Sequence, residues 1–175
     1  MKKVFLRILF LLLLCSTFFI IFRFSSQNGD ESGSLSNKIM TKFINVFPYT
    51  KDLSIATKLK LIENGEPILR KLAHFSIYGL VGIFIMSFMS TFSIRLYQKL
   101  LVSLGVGLLY AISDEYHQSF VIGRGPSILD VGIDTAGVFA GILMVLIAIS
   151  VYKALVGDRK NRILKKEISR NAMEE

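Results

Sequence analysis

The sequence predicts an all-α membrane protein: a bundle of four transmembrane helices with one or two amphipathic helices in a long external loop. Three observations predict it. Apolar residues make up 52% of the 175-residue chain and mean hydropathy is +0.54, too apolar for an ordinary soluble domain. Four segments reach spanning length, roughly Val4–Phe24, Lys71–Phe92, Lys99–Phe120 and Ile128–Tyr152; a hydrocarbon core of about 30 Å takes about 20 helical residues. The polar residues of the last three segments gather at one end of each.

The first span follows Lys2 and Lys3 and contains Arg7 and the single cysteine, Cys15, so no internal disulfide can form. Leu14 precedes that cysteine where a lipoprotein signal wants a small residue, and no A-x-A-like site follows, so the span reads as uncleaved. Lys and Arg then set the orientation. They precede or enter the first span, occupy the short link at Arg95 and Lys99, and crowd the tail from Lys153 to Arg170, whereas the mildly basic Arg23–Arg70 connection is long and weighs less. All three regions fall on one side of a four-span chain, which places both termini in the cytoplasm. The net charge of +8 is thus explained by loops; no interleaved basic and aromatic surface points to nucleic acid.

The chain divides into a first span (1–24), an external loop (25–69), a three-helix core (70–152) and a basic cytoplasmic tail (153–175). In the loop, Leu35, Ile39, Phe43 and Phe47 recur at four-residue steps, and Ile55, Leu59 and Ile62 repeat the pattern weakly. Helices lying on the outer membrane surface, or packed on the bundle, would show that pattern. Asn64-Gly65 and Pro67 are expected to break the chain before the second span.

Charges occupy matching depths in the last three spans. Counted from Lys99 at about 1.5 Å per residue, Asp114 lies about 22 Å across and Gln118 about 28 Å. From Lys153, Asp134 lies about 28 Å across and Asp130 about 34 Å; from Arg95, Tyr78 comes at about 25 Å and His74 at about 31 Å. One polar helix end would be ordinary, but three at one depth indicate a site. Arg70, His74 and Tyr78 share a stripe at i, i+4, i+8, with Lys71 beside them; Asp114 and Gln118 form another i, i+4 pair beside Glu115. Asp130, Asp134, Gly137 and Gly141 continue a third stripe, whose inner Gly-x-x-x-Gly admits a close helix neighbour.

Charges near mid-bilayer should face the bundle or a wet cavity. Arg70, Lys71 and Arg124 are the natural counter-ions of Asp114, Glu115, Asp130 and Asp134, and an internal ion-pair network without a ligand is one reading. The other is a polar pocket open to the outer leaflet, where the cations grip a phosphate or carboxylate and Glu, Asp or His moves a proton. No cofactor is required by the sequence. A divalent metal on His74 and His117 with Glu115, Asp130 or Asp134 is the minor alternative, since no metal-binding spacing supports it. Ser119 and Ser127 have no triad context. "VIGRGP" (121–126) reads as a turn presenting Arg124, with Ser127 as a cap for the fourth span.

These residues resemble the VanZ-like membrane family, whose namesake is linked to resistance toward the glycopeptide teicoplanin. "RKLAHFSIYGLVG" (70–82), "DEYHQSFVIGRGPSILDVGIDTAGVFAG" (114–141) and "FSSQNGDESGSLS" (24–36) carry the resemblance. It falls on Arg70, Lys71, His74, Tyr78, Asp114, Glu115, Gln118, Arg124, Asp130, Gly137 and Gly141; Asp134 departs from the Asn common at its place. The resemblance implies a multi-pass protein of the bacterial cell membrane with membrane lipids as partners. The expected function is binding of an anionic envelope lipid or lipid-linked cell-wall precursor, with an effect on glycopeptide susceptibility. Arg70, Lys71 and Arg124 would bind the anion, with Asp130 and Asp134 completing the ligand-binding set. His74, Glu115 and Asp114 would orient it or transfer protons, and Gln118 and Tyr78 would supply hydrogen bonds. The alternatives are a hydrolase or transferase acting on such a lipid through His74 and Glu115, and a structural membrane protein.

Overall fold

The computed structural model describes residues 1–50 and 52–171, with side chains as far as Gly157. It is helical throughout: α1 Lys2–Ser25, α2 Gly29–Val46, a short 3-10 turn Pro48–Thr50, α3 Ile55–Ser90, α4 Leu96–Gln118 and α5 Ile128–Asn171. Among the described residues, four segments are long and apolar enough to cross a membrane: α1, α3, α4 and residues Ile128–Gly157 of α5. Residues 1–142 form one compact unit; the second, 143–175, holds the later part of α5, to Asn171. The side chains of the basic tail expected to meet anionic lipid, from Arg159 onward, lie outside the described residues.

Helix α1 is apolar all round, as a helix bathed in lipid should be. Phe5, Leu12 and Phe19 point outward, while Leu14, Thr17, Ile21 and Ser25 form a buried stripe at three- and four-residue steps. That stripe faces the bundle, where α1 packs on α3 and α4. Tyr110 stacks on Phe18 at 3.8 Å between ring centroids and donates its hydroxyl to the Phe18 carbonyl at 2.7 Å. At the opposite end, Arg7 donates to the Thr91 hydroxyl at 3.1 Å and lies over the Phe92 ring at 4.1 Å, tying the start of α1 to the end of α3.

A helix does occupy the connection, α2, started by the Asn28 side chain accepting from the Glu31 amide at 2.7 Å. The expected break at Asn64-Gly65 and Pro67 does not occur. Helix α3 starts at Ser54, which caps the Thr57 amide, and runs unbroken through Pro67 to Ser90. Proline removes one amide donor from a helix, and here α2 packs along the same stretch, with Met40 laid over Gly65. Tertiary packing outweighs local punctuation. The weak second loop helix is therefore the first part of α3.

The core is built on α3, with Tyr78, Val81, Ile85 and Met86 buried against Ser103 and Ala111 of α4 and Val138 and Ile142 of α5. Helices α3 and α5 run parallel and touch backbone to backbone. A Cβ at Gly137 would collide with the Phe75 carbonyl, one at Gly141 with the Gly79 carbonyl, and one at Gly82 with the Val138 carbonyl. The Gly-x-x-x-Gly of α5 thus meets a small-residue stripe on α3, the contact that membrane helices use for close approach. Replacing Gly141 by Leu should destabilise the bundle by about 1–3 kcal/mol or more through overpacking. Gly132→Ala, where a Cβ meets nothing within 4 Å, should be neutral or stabilising by up to about 1 kcal/mol. Thermal unfolding in detergent measures both.

Candidate functional site

The α3–α5 register sets Asp134, about one helical turn before Gly137, directly against His74. Asp134 is fully buried, and its Oδ1 lies 3.3 Å from His74 Nδ1. The pair lacks hydrogen-bond geometry: His74 Nδ1 and both Asp134 oxygens are buried without a hydrogen-bond partner. Asp114 comes in from α4, so that one ligand-type atom from each of His74, Asp114 and Asp134 lies within 4.8 Å of the others. Tyr78, fully buried on α3, has a hydroxyl with no hydrogen-bond partner.

The end of α4 organises the rest. Asp114 and Gln118 are one turn apart, and Gln118 Nε2 donates to Asp114 Oδ2 at 3.0 Å and to the Ser25 hydroxyl at 3.4 Å. Past α4 the chain turns through Gly123, whose φ of 76° favours glycine. This returns Arg124 to the bundle, where Nη1 donates to Gln118 Oε1 at 3.2 Å and Nη2 to the Phe24 carbonyl at 3.4 Å. Burial lowers the Arg124 pKa from its ordinary value, and Arg70 adds to this, while Asp114 and Glu115 oppose it. Guanidinium remains charged in proteins all the same. Glu115 Oε2 accepts from the Ser127 amide at 2.8 Å, and the Ser127 hydroxyl accepts from the Asp130 amide at 3.3 Å. Ser127 is the expected cap of the fourth span, and Glu115 pins it in place.

Among the described residues, the buried side-chain polar atoms without a hydrogen-bond partner all belong to this cluster: His74, Tyr78, Glu115, Arg124 and Asp134. Such atoms are rare in native proteins, and each costs about 1–3 kcal/mol. Two cavities border the cluster. A polar one of about 180 Å³ is lined by Arg70, Lys71, His74, Gln118, Arg124, Asp130 and Asp134. An apolar one of about 310 Å³ runs between α1, α2 and α3 past Ile21, Leu35, Ile39, Leu69 and Ile77. Arg70, His74 and Arg124 line both.

Nearly every residue expected at the site is therefore at one end of the bundle, but two expected pairings differ. Among the described residues, no Lys or Arg of the cluster lies within 4.0 Å of a carboxylate; the charged-type pair inside the cluster is His74–Asp134. The direct ion-pair network is replaced by Arg124 bound to neutral acceptors. His117 also leaves the metal-type set: it stacks on Phe22 at 4.7 Å and its Nε2 lies 3.1 Å from the Ser26 hydroxyl. The site residues missed in the sequence are Ser25 and the Phe24 carbonyl, contributed by α1. The Ser-Ser-Gln stretch after the first span was their signal.

Fold and site together define a multi-span helical membrane protein with a buried polar centre at one end of its bundle. The chain belongs to the VanZ/LLP1 family, whose profile matches residues 10–149. Comparison with curated proteins and with solved structures gave no match.

Gln118 joins Asp114, Ser25 and Arg124, so Gln118→Leu should leave buried partners unpaired and lower stability by about 1–3 kcal/mol. Lys71→Ala, at an exposed position, should change it by no more than about 0.5 kcal/mol. Chemical denaturation in mild detergent, followed by tyrosine fluorescence, compares the two.

Proposed function

We propose that this protein binds an anionic amphiphile of the bacterial envelope, a phospholipid or a lipid-linked cell-wall precursor, at the outer face of the membrane. The observation that carries the reading is the pair of cavities sharing Arg70, His74 and Arg124. An amphiphile needs an anion site adjoining an apolar groove, and here the two meet at two arginines. Charge-assisted contacts to phosphate or carboxylate oxygens are strong and, with guanidinium, two-pronged. Arg124 is held by Gln118 and the Phe24 carbonyl and meets no carboxylate within 4.0 Å, so its charge is available to a ligand. Lys71 stands at the rim of the same cavity.

Placement in the bilayer follows from Lys and Arg. The short α3–α4 link and the tail past Tyr152 are basic, which supports cytoplasmic termini and a site in the outer leaflet. Leu35 and Ile39 of α2 line the apolar cavity, while Phe43 and, just past the helix, Phe47 are exposed, and in this reading the helix rests on the outer membrane surface. Ligand capture there would place the protein where glycopeptides meet their targets, in keeping with the teicoplanin resistance associated with the family's namesake.

A second reading, a membrane-embedded hydrolase or transferase, is favoured by one observation. The carboxylate beside His74 is Asp134, so an acid–base pair would be His74 with Asp134, with Glu115 holding the start of α5.

The test is lipid retention. The wild-type chain, extracted in mild detergent, should co-purify with phosphatidylglycerol or a polyprenyl-linked precursor, read by mass spectrometry. Arg124→Ala and Arg70→Ala should each weaken retention about tenfold or more, a change of about 1.4 kcal/mol. Equal retention by wild type and both variants would remove the anion site from the account. Turnover of added lipid, lost in His74→Ala, would move the reading to the enzyme.

A further inference from the structure

The His74, Asp114 and Asp134 cluster gathers one imidazole and two carboxylates around a contact that leaves part of their ligating capacity unused. Asp134 is fully buried, and neither of its oxygens makes a hydrogen bond. His74 Nδ1 sits 3.3 Å from Asp134 Oδ1, an ion-pair distance without hydrogen-bond alignment, and Asp134 Oδ2 has no partner at all. Two ligands bound to one Zn²⁺ at about 2.0–2.1 Å in a tetrahedral arrangement stand roughly 3.3 Å apart. The third potential ligand, on Asp114, lies within 4.8 Å of both, so it needs to close by at most about 1.5 Å to share that centre. Gln118 holds Asp114 Oδ2 at 3.0 Å, as outer-sphere partners hold ligating carboxylates.

We propose that His74, Asp114 and Asp134 form a divalent-cation site, with Zn²⁺ the best fit to one imidazole and two carboxylates, opening toward the polar cavity. One nitrogen and two oxygen donors suit Zn²⁺ better than Mg²⁺, which prefers oxygen and water. The cavity is the access route: His74 and Asp134 both line it, and the His74 side chain is 24% exposed. A cation here also settles the local charge. The cluster counts three cations, Arg70, Lys71 and Arg124, and four carboxylates, Asp114, Glu115, Asp130 and Asp134, so the formal balance without an ion is one negative charge in excess. A divalent ion reverses it to one positive charge in excess, the sign that an anionic headgroup requires. The cation site stands on its own geometry; only the recruitment of a headgroup rests on the function proposed above.

The experiment uses the full chain in detergent, free of any polyhistidine tag and stripped with EDTA, titrated with Zn²⁺ and assayed for bound metal. One Zn²⁺ per chain is expected for the wild type and for His117→Ala, which removes the only other histidine. Asp134→Asn and His74→Gln, near-isosteric changes, should each weaken binding tenfold or more, and Zn²⁺ should raise the melting temperature of the wild type but of neither variant. A wild type without stoichiometric Zn²⁺ overturns the proposal. So does wild-type affinity in a variant that melts as a folded protein, or loss of binding in His117→Ala. Phosphatidylglycerol binding is measured in parallel with and without Zn²⁺. Zn²⁺ bound without any lipid binding would sink the amphiphile reading and leave the cation site standing.

Discussion

The backbone contact between α3 and α5 is the constraint on which the rest of the structure depends. Gly137 and Gly141 lie against the Phe75 and Gly79 carbonyls, and Gly82 against that of Val138. In lipid no hydrophobic force separates helix–helix from helix–tail contact, so close packing of small residues decides which helices pair and in which register. That register is parallel, and one turn nearer the start of both helices it brings His74 and Asp134 to 3.3 Å. A shift by one residue would rotate Asp134 by about 100°, toward a neighbouring helix or lipid. The glycine stripe therefore fixes a buried charge as well as a helix pair.

Around that contact the bundle is ordered with respect to polarity. Outside the cluster, buried polar side chains find partners: Thr17 and Ser36 donate to carbonyls one turn back, and Tyr110 to Phe18. Within it, Asp134, Tyr78, Glu115, His74 and Arg124 each keep an atom unpartnered. Sequences that satisfy packing and hydrogen bonding almost everywhere tend to break those rules where they bind or react. The cost falls on groups of both signs and of metal-ligating type, which is what a ligand of mixed character would satisfy.

Much of this was legible in the sequence, and the limits have physical causes. Helical rise alone placed His74, Asp114, Asp134 and Gln118 at one depth, and the i, i+4 spacing of Asp114 and Gln118 forecast a contact that exists. The glycine spacing 137–141 forecast a close neighbour, though not that it would be α3. Azimuth between helices is invisible to counting, so residue spacing pairs the cations with carboxylates that they do not touch. His117 was drawn into the metal set, whereas Phe22 and Ser26 of α1 hold it elsewhere. Asn64-Gly65 and Pro67 read as a break because punctuation is a local rule, and the packing of α2 on α3 overrode it.

The way Arg124 is held bears on what the site is for. A guanidinium in a low-dielectric cavity could be stabilised most directly by a carboxylate, and four are available on α4 and α5. A neutralised arginine, however, attracts an incoming anion only by first giving up its partner. Here the guanidinium donates to an amide oxygen and a backbone carbonyl, which fix its plane without cancelling its charge. Gln118 completes the arrangement by accepting from Arg124 through one end and donating to Asp114 through the other. The same neutral side chain thus separates the cation from the nearest anion while orienting both. Replacing it with a carboxylate would supply the missing ion pair, at the expense of the free positive charge on which the proposed anion binding rests.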